Sequence, residues 1–191
     1  MVMKHKILVL LVAVLSVAMF SGCGGDDGKS KSKDTFMFDK DTKYGYHIYK
    51  NYKYGYYFSY PTFLTTPEEW SNSETRPFES NDGRIKLTAS ARFNNSGRTE
   101  KSLFDEEKYF LERDGHRITY SLSKKGMVVF SGYTPDNKVF YKKIAICDLY
   151  SPQYGDVRSV IACIDAIWEN NDRYRGEAIA ELLKKFPFER K

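Results

Sequence analysis

The chain has 191 residues, with 30 Lys and Arg against 25 Asp and Glu, and a formal net charge of +5. That excess is too mild and too dispersed to build a nucleic-acid surface. Of its fifteen tyrosines, eight fall in the single stretch YGYHIYKNYKYGYYFSYP, residues 44–61, which is either a binding platform or part of an ordinary sheet.

The first element is a leader. Lys4, His5 and Lys6 precede the apolar run Ile7 to Phe20, and Ser21, Gly22 and Cys23 follow it. A basic start, an apolar run of about fourteen residues and small residues at its end describe a secretory signal, too short to span a membrane comfortably. The ending FSGC resembles the lipobox of bacterial lipoproteins, with Phe20 where Leu is usual. That resemblance implies cleavage after residue 22 and a lipid on Cys23; the alternative is a simple secretion signal with a chance cysteine. Several acyl chains on one residue anchor a protein stably, at about 0.8 kcal/mol per buried CH₂. Loss of Lys4 and Lys6 with the leader reduces the net charge by two, from +5 to +3.

Residues 24–34, GGDDGKSKSKD, carry no apolar side chain and cannot bury enough surface to fold. The expectation is therefore a lipidated Cys and flexible tether over residues 23–42. Gly24 is not the Asp that retains such lipoproteins in the inner membrane of enteric-type cells, which favours the outer membrane. Asp26 and Asp27 leave a surface-export signal open. The expected location is the cell envelope, lipid-anchored and facing either periplasm or surface.

A single domain is expected over residues 43–191. Tyr44 to Tyr49 and Tyr56 to Tyr60 read as strands, with Asn51 and Gly55 at the bend between them. In the second, alternation puts Tyr56, Phe58 and Tyr60 on one face, so most of these rings are expected to be core. Residues 62–82 are polar and irregular. Asp82-Gly83 is a turn, and Arg84 to Phe93 alternates as a strand does. Ser102 is the expected N-cap of a helix that Gly115 closes. Four meandering strands follow, with turns at Lys125-Gly126, at Pro135-Asp136-Asn137 and at SPQYGD, residues 151–156. A last helix runs from Arg173 to Lys185. This order is that of an α+β domain: an antiparallel sheet of about six to seven strands with helices packed on it.

The stretch YKNYKYGYYFSYPTFL, with Tyr54, Gly55, Tyr56, Tyr60, Pro61 and Phe63 in the positions that matter, resembles the opening of PsbP-like proteins. That family includes an extrinsic photosystem II subunit, a Ran-binding nuclear-transport protein and bacterial envelope lipoproteins. Its members mostly bind partners and are not enzymes, so the resemblance implies a protein-interaction role. The expected partner is another envelope protein, besides the membrane that holds the anchor.

No metal, cofactor or catalytic motif is legible. His47 and His116 have no companion at ligand spacing, and no nucleophile elbow, phosphate loop or dinucleotide fingerprint occurs. Two contact regions suggest themselves: the exposed members of the aromatic stretch, taken as Tyr44, Tyr46, Tyr49 and Tyr52, with Trp70; and the basic pairs Lys124-Lys125 and Lys142-Lys143. Rings gathered around a cleft would favour the alternative reading, a small-ligand or glycan binder, and a flat patch a protein partner. A hydrolase is a distant third. If the last hairpin is symmetric about residue 155, Cys147 and Cys163 face each other across it. A disulfide closing a loop of that size stabilises by roughly 3 kcal/mol, but two buried thiols fit the same apolar contexts. Cys23→Ala is expected to release the protein from the membrane fraction; full sedimentation of the variant with membranes would overturn the lipobox reading.

Overall fold

The computed structural model describes residues 45–67, 72 and 74–186 together with the short strand Met37–Phe38, all within the second of two units, Met1–Lys31 and Ser32–Lys191. The leader, Cys23, most of the expected tether, Tyr44 and Trp70 lie outside the described residues. Part of the expected tether is strand. Met37–Phe38 (β1) pairs antiparallel with Gly45–Lys50 (β2), Met37 opposite Tyr46. The argument for a tether applies only where apolar residues are missing, and TFMF, residues 35–38, supplies them.

β2 also pairs with Tyr57–Pro61 (β3), giving a three-stranded sheet in the order β1-β2-β3. Asn51, 5 % exposed, builds the bend between them. Its backbone N–H donates to the Tyr56 carbonyl, its carbonyl accepts from Gly55 N–H (both 2.8 Å), and its Oδ1 accepts from Tyr54 N–H (3.1 Å). Gly55 sits at φ +76°, and a Cβ there would overlap the carbonyl of Tyr150. Only glycine meets both demands.

The second sheet has seven strands, all antiparallel: Leu64–Thr65 (β4), Thr75–Ser80 (β5), Ile85–Phe93 (β6), Arg117–Lys124 (β7), Met127–Tyr133 (β8), Val139–Ser151 (β9) and Asp156–Trp168 (β10), in the order β4-β5-β6-β10-β9-β8-β7. The expected α+β architecture is present. β4 and β5 replace the irregular segment expected over residues 62–82. Pro77 hid β5, because proline cannot donate to a ladder. Here the Pro77 carbonyl accepts from Thr66 Oγ1 (2.7 Å), away from β6, so the missing N–H removes no rung.

The helix Glu100–Arg113 (α1) is capped by Thr99 rather than Ser102. Ser102 occupies the third helical position and completes a capping box, its Oγ accepting from Thr99 N–H while Thr99 Oγ1 accepts from Ser102 N–H. Leu103 and Leu111 face inward. The last helix, Arg173–Lys184 (α2), follows a short 3₁₀ turn at Asn170–Asp172. It crosses so close to the end of β10 that a Cβ on Gly176 would overlap the Trp168 indole.

The seven-stranded sheet is covered on both faces. On one, β3 and α2 close a core of Tyr56, Phe58, Phe78, Ile164, Ile179 and Phe186; on the other, α1 closes a core of Leu103, Phe130, Phe140, Ile144 and Ile161. Successive side chains of β9 and β10 therefore enter different cores. Lys142-Lys143 is thus not a basic turn but a mid-strand pair pointing opposite ways. Lys142 lies beneath α1, 2.7 Å from Glu107 and 3.8 Å from Asp165. Lys143, 2 % exposed, donates to the carbonyls of Leu183 (2.8 Å) and Lys184 (3.0 Å) at the C-terminus of α2, where carbonyls lack helical partners and a cation suits the helix dipole.

The same alternation separates the cysteines. The hairpin pairs Asp156 with Ser151, so Cys147 stands opposite Val160 and Cys163 opposite Ile144. The two are not joined: Cys147 packs against the first core and Cys163 against the second. The cross-strand bridge is not formed, because the turn is centred between residues 153 and 154 rather than at 155 and an odd offset moves a side chain to the other face.

Burial, with Lys124 nearby, pulls the Lys143 pKa down to about 8. Its charge therefore costs the fold stability below pH 8. Between pH 8 and its ordinary value of 10.5 the unfolded chain binds more protons, so stability rises with pH. Lys143→Met orphans two helix-terminal carbonyls and is expected to cost about 1–3 kcal/mol at pH 9.5, and less at pH 7. Urea unfolding at the two pH values checks this; an equal cost at both would overturn it.

Candidate functional site

The fold brings most of the aromatic stretch inside. Tyr54, Tyr56, Phe58 and Tyr60 are each no more than 3 % exposed. They form one aromatic cluster: Tyr60 lies 4.6 Å from Phe78, Phe58 meets Phe78 and Phe186 edge-on at 5.6 and 6.1 Å, and Tyr54 lies 4.8 Å from Phe93. Such pairs add about 0.5–1.5 kcal/mol to the burial of their area. Tyr49, expected on the surface, packs on Phe58 and Phe78 and accepts a bond from Asn51 Nδ2. β2 is the middle strand of its sheet and lies against the large one, so its inward rings are partly buried rather than exposed. Tyr46 is half-buried, and of the described candidates Tyr52 alone stands out into solvent.

Tyr52 belongs to a feature that the sequence did not reveal, an open groove of about 1080 Å³. One wall is the β2–β3 hairpin, with Ile48, Lys50, Tyr52 and Tyr57. The other is the end of β9, from Ile146 to Tyr150, with Val157 of β10 beside it, and the turn Lys125-Gly126 closes one end. Tyr52, Tyr150 and Val157 are 53 %, 54 % and 65 % exposed, an unusual concentration of apolar surface in one concavity. The walls are tied together: Ser151 Oγ, fully buried, donates to the Lys53 carbonyl, and Gly55 abuts Tyr150. Lys50 and Lys125 bring two positive charges to the groove and Asp148 one negative charge.

No single motif marks this place. Tyr52 was legible as a ring near a bend, but Tyr150 and Val157 sit about a hundred positions away and meet it only through the register of the β9–β10 hairpin.

The strongly perturbed titratable groups include several beneath α1, away from the groove. Burial opposes the Lys142 charge, yet Cys163, Asp165 and Glu107 raise its pKa overall, while burial raises that of Asp165. Burial pushes the Cys163 thiol up to about 12. Among the described residues, no three His, Cys, Asp or Glu converge on a metal position. His47 packs instead at a tilt on Tyr60 and His116 edge-on against Phe140, with ring centroids 5.4 and 5.1 Å apart. No protein-family model matches the chain, and no curated protein matches it.

Cys147 borders the groove, whereas Cys163 holds its proton. Because the thiolate is the nucleophile, iodoacetamide at pH 8 is expected to modify Cys147 of the folded protein and spare Cys163. Peptide mass mapping of the labelled protein reads this out, and equal labelling of both would contradict the register.

Proposed function

We propose that the protein is a non-enzymatic cell-envelope lipoprotein, held by a lipid on Cys23, whose PsbP-like domain works as a protein-interaction module. The observation that carries the reading is the groove. Its volume of about 1080 Å³ stands at the upper end of the range for small-molecule pockets, about 300–1,000 Å³. Its lining comes from four separate stretches of chain, and hydrogen bonds at Asn51 and Ser151 tie its walls together. Rigid, exposed rings are typical anchors of protein interfaces, where they bury large area at little conformational cost. The leader and the strand order support the remainder: a secreted, anchored domain resembling a family of binding proteins.

A second reading is favoured by the rings themselves. Tyr52, Tyr57 and Tyr150 around a cleft offer stacking faces to a glycan.

In-cell crosslinking of the lipidated protein, followed by mass spectrometry, separates the two readings. One reproducible protein adduct, lost in the Tyr52→Ser/Tyr150→Ser double variant while the protein remains folded and abundant, is expected. Adducts that survive the double variant would remove the groove as the contact surface. Glycan enrichment in place of protein would establish the second reading.

A further inference from the structure

One wall of the groove is an incomplete strand ladder. β8 begins at Met127, opposite Ala145 of β9, and the next rung is the bond from Ile146 N–H to the Gly126 carbonyl (2.9 Å). β9 continues to Ser151 without β8 beside it. In an antiparallel ladder alternate residues direct N–H and C=O to the same side. Asp148, two residues beyond Ile146, therefore presents both groups toward the place where β8 would have continued. The partner strand gives the same answer. Ser159, paired with Asp148, is turned to the other side, its carbonyl accepting from Asn94 N–H (2.9 Å) beyond the end of β6. Asp148 and Ser159 thus exchange no bonds, and the Asp148 backbone faces the groove. Two residues further on, the Tyr150 carbonyl meets Gly55, which closes the other end.

The Asp148 backbone, without a partner strand on the groove side among the described residues and flanked by apolar rings, suits one ligand chemistry above others: an extended polypeptide, whose own N–H and C=O groups match it. Charge narrows the choice. Lys50 and Lys125 are exposed and form no salt bridge among the described residues; Asp148 is the carboxylate that lines the groove, and Glu100, behind the Lys125-Gly126 turn, is already held by the Gly126 N–H. We propose that the groove takes up an extended segment of a partner protein, alternating apolar and acidic residues, by strand addition to β9 at Asp148. This rests on the groove being a protein-interaction surface. Backbone bonds at Asp148 fix the segment, its apolar side chains cover Tyr150 and Val157, and its carboxylates meet the two lysines.

Proline at 148 tests the backbone bond directly. Because the Asp148 N–H points outward, Asp148→Pro removes no rung to β10, and proline is tolerated on such an edge. The probe is a fluorescein-labelled hexapeptide, VEVEVE, titrated by fluorescence anisotropy at low salt into the full-length protein in detergent. The expected results are binding by the wild type, about tenfold weaker binding by Asp148→Pro, and undiminished binding by Asp148→Ala, which keeps the N–H. Thermal melting reports whether each variant is folded. Should Asp148→Pro fail to fold, the same peptide N-methylated at alternate backbone nitrogens supplies the test: lost binding supports strand addition, and equal affinity overturns it.

Unchanged binding by folded Asp148→Pro would also overturn strand addition, while the interaction reading stands if Tyr150→Ser and Lys125→Glu still weaken the complex. Binding indifferent to all of these variants removes the groove as well. Saturable binding of cellohexaose that depends on Tyr52 and Tyr150, with no peptide binding up to about 1 mM, overturns both in favour of a glycan.

Discussion

Two strands of thirteen residues, β9 and β10, paired along their whole length and covered on both faces everywhere but at the hairpin end, set the terms for the rest of the molecule. A strand covered on one side alternates between apolar and polar. A strand covered on both must find an apolar partner or a specific compensation for every side chain. This is why two adjacent lysines can lie at the centre of the domain. Lys142 is held in an acidic setting of Glu107 and Asp165 under α1, and Lys143 is consumed by the carbonyl end of α2. Each helix is thus tied to the hairpin by a lysine as well as by its apolar stripe.

The hairpin also creates the groove by its length. β9 outruns β8, and the space left beside its end is roofed by the β2–β3 hairpin instead of another strand. The tyrosine-rich segment consequently has two duties. Its inward residues, Tyr54, Tyr56, Phe58 and Tyr60, fill the first core, each contributing on the order of 1.5–3 kcal/mol through burial. Tyr52 and Tyr57, on the other side of the same turn, line the groove. Asn51 and Gly55, which shape that turn, are shared by core and groove, so the stability of the domain and the shape of the groove are built from one set of hydrogen bonds.

The order of elements and the inward set of the tyrosine stretch were legible from alternation, turn residues and helical periodicity, because these are local. The sequence reading missed wherever a local signal was overruled by position in the sheet. Pro77 argues against a strand until the edge it faces is known. Ser102 is a good cap until Thr99, three residues earlier, is seen to cap with Ser102 as its reciprocal partner. The cysteine pairing depended on centring the hairpin turn, and a displacement of one and a half residues sent the two thiols to opposite cores. Tyr49 looked exposed because it lies near the expected tether and a probable sheet edge, yet β2 is a central strand lying on the larger sheet.

By itself, the sequence determined the α+β order of elements and the division of β3 into a core face and an opposite face, since each follows from local turn signals or from the two-residue period of one strand. Tertiary structure alone decided which rings meet at the groove, which lysines are buried, and that the backbone of Asp148 has no neighbouring strand on the groove side among the described residues. Those outcomes depend on register between segments about a hundred residues apart, and register is a property of the paired strands that no single stretch of chain carries.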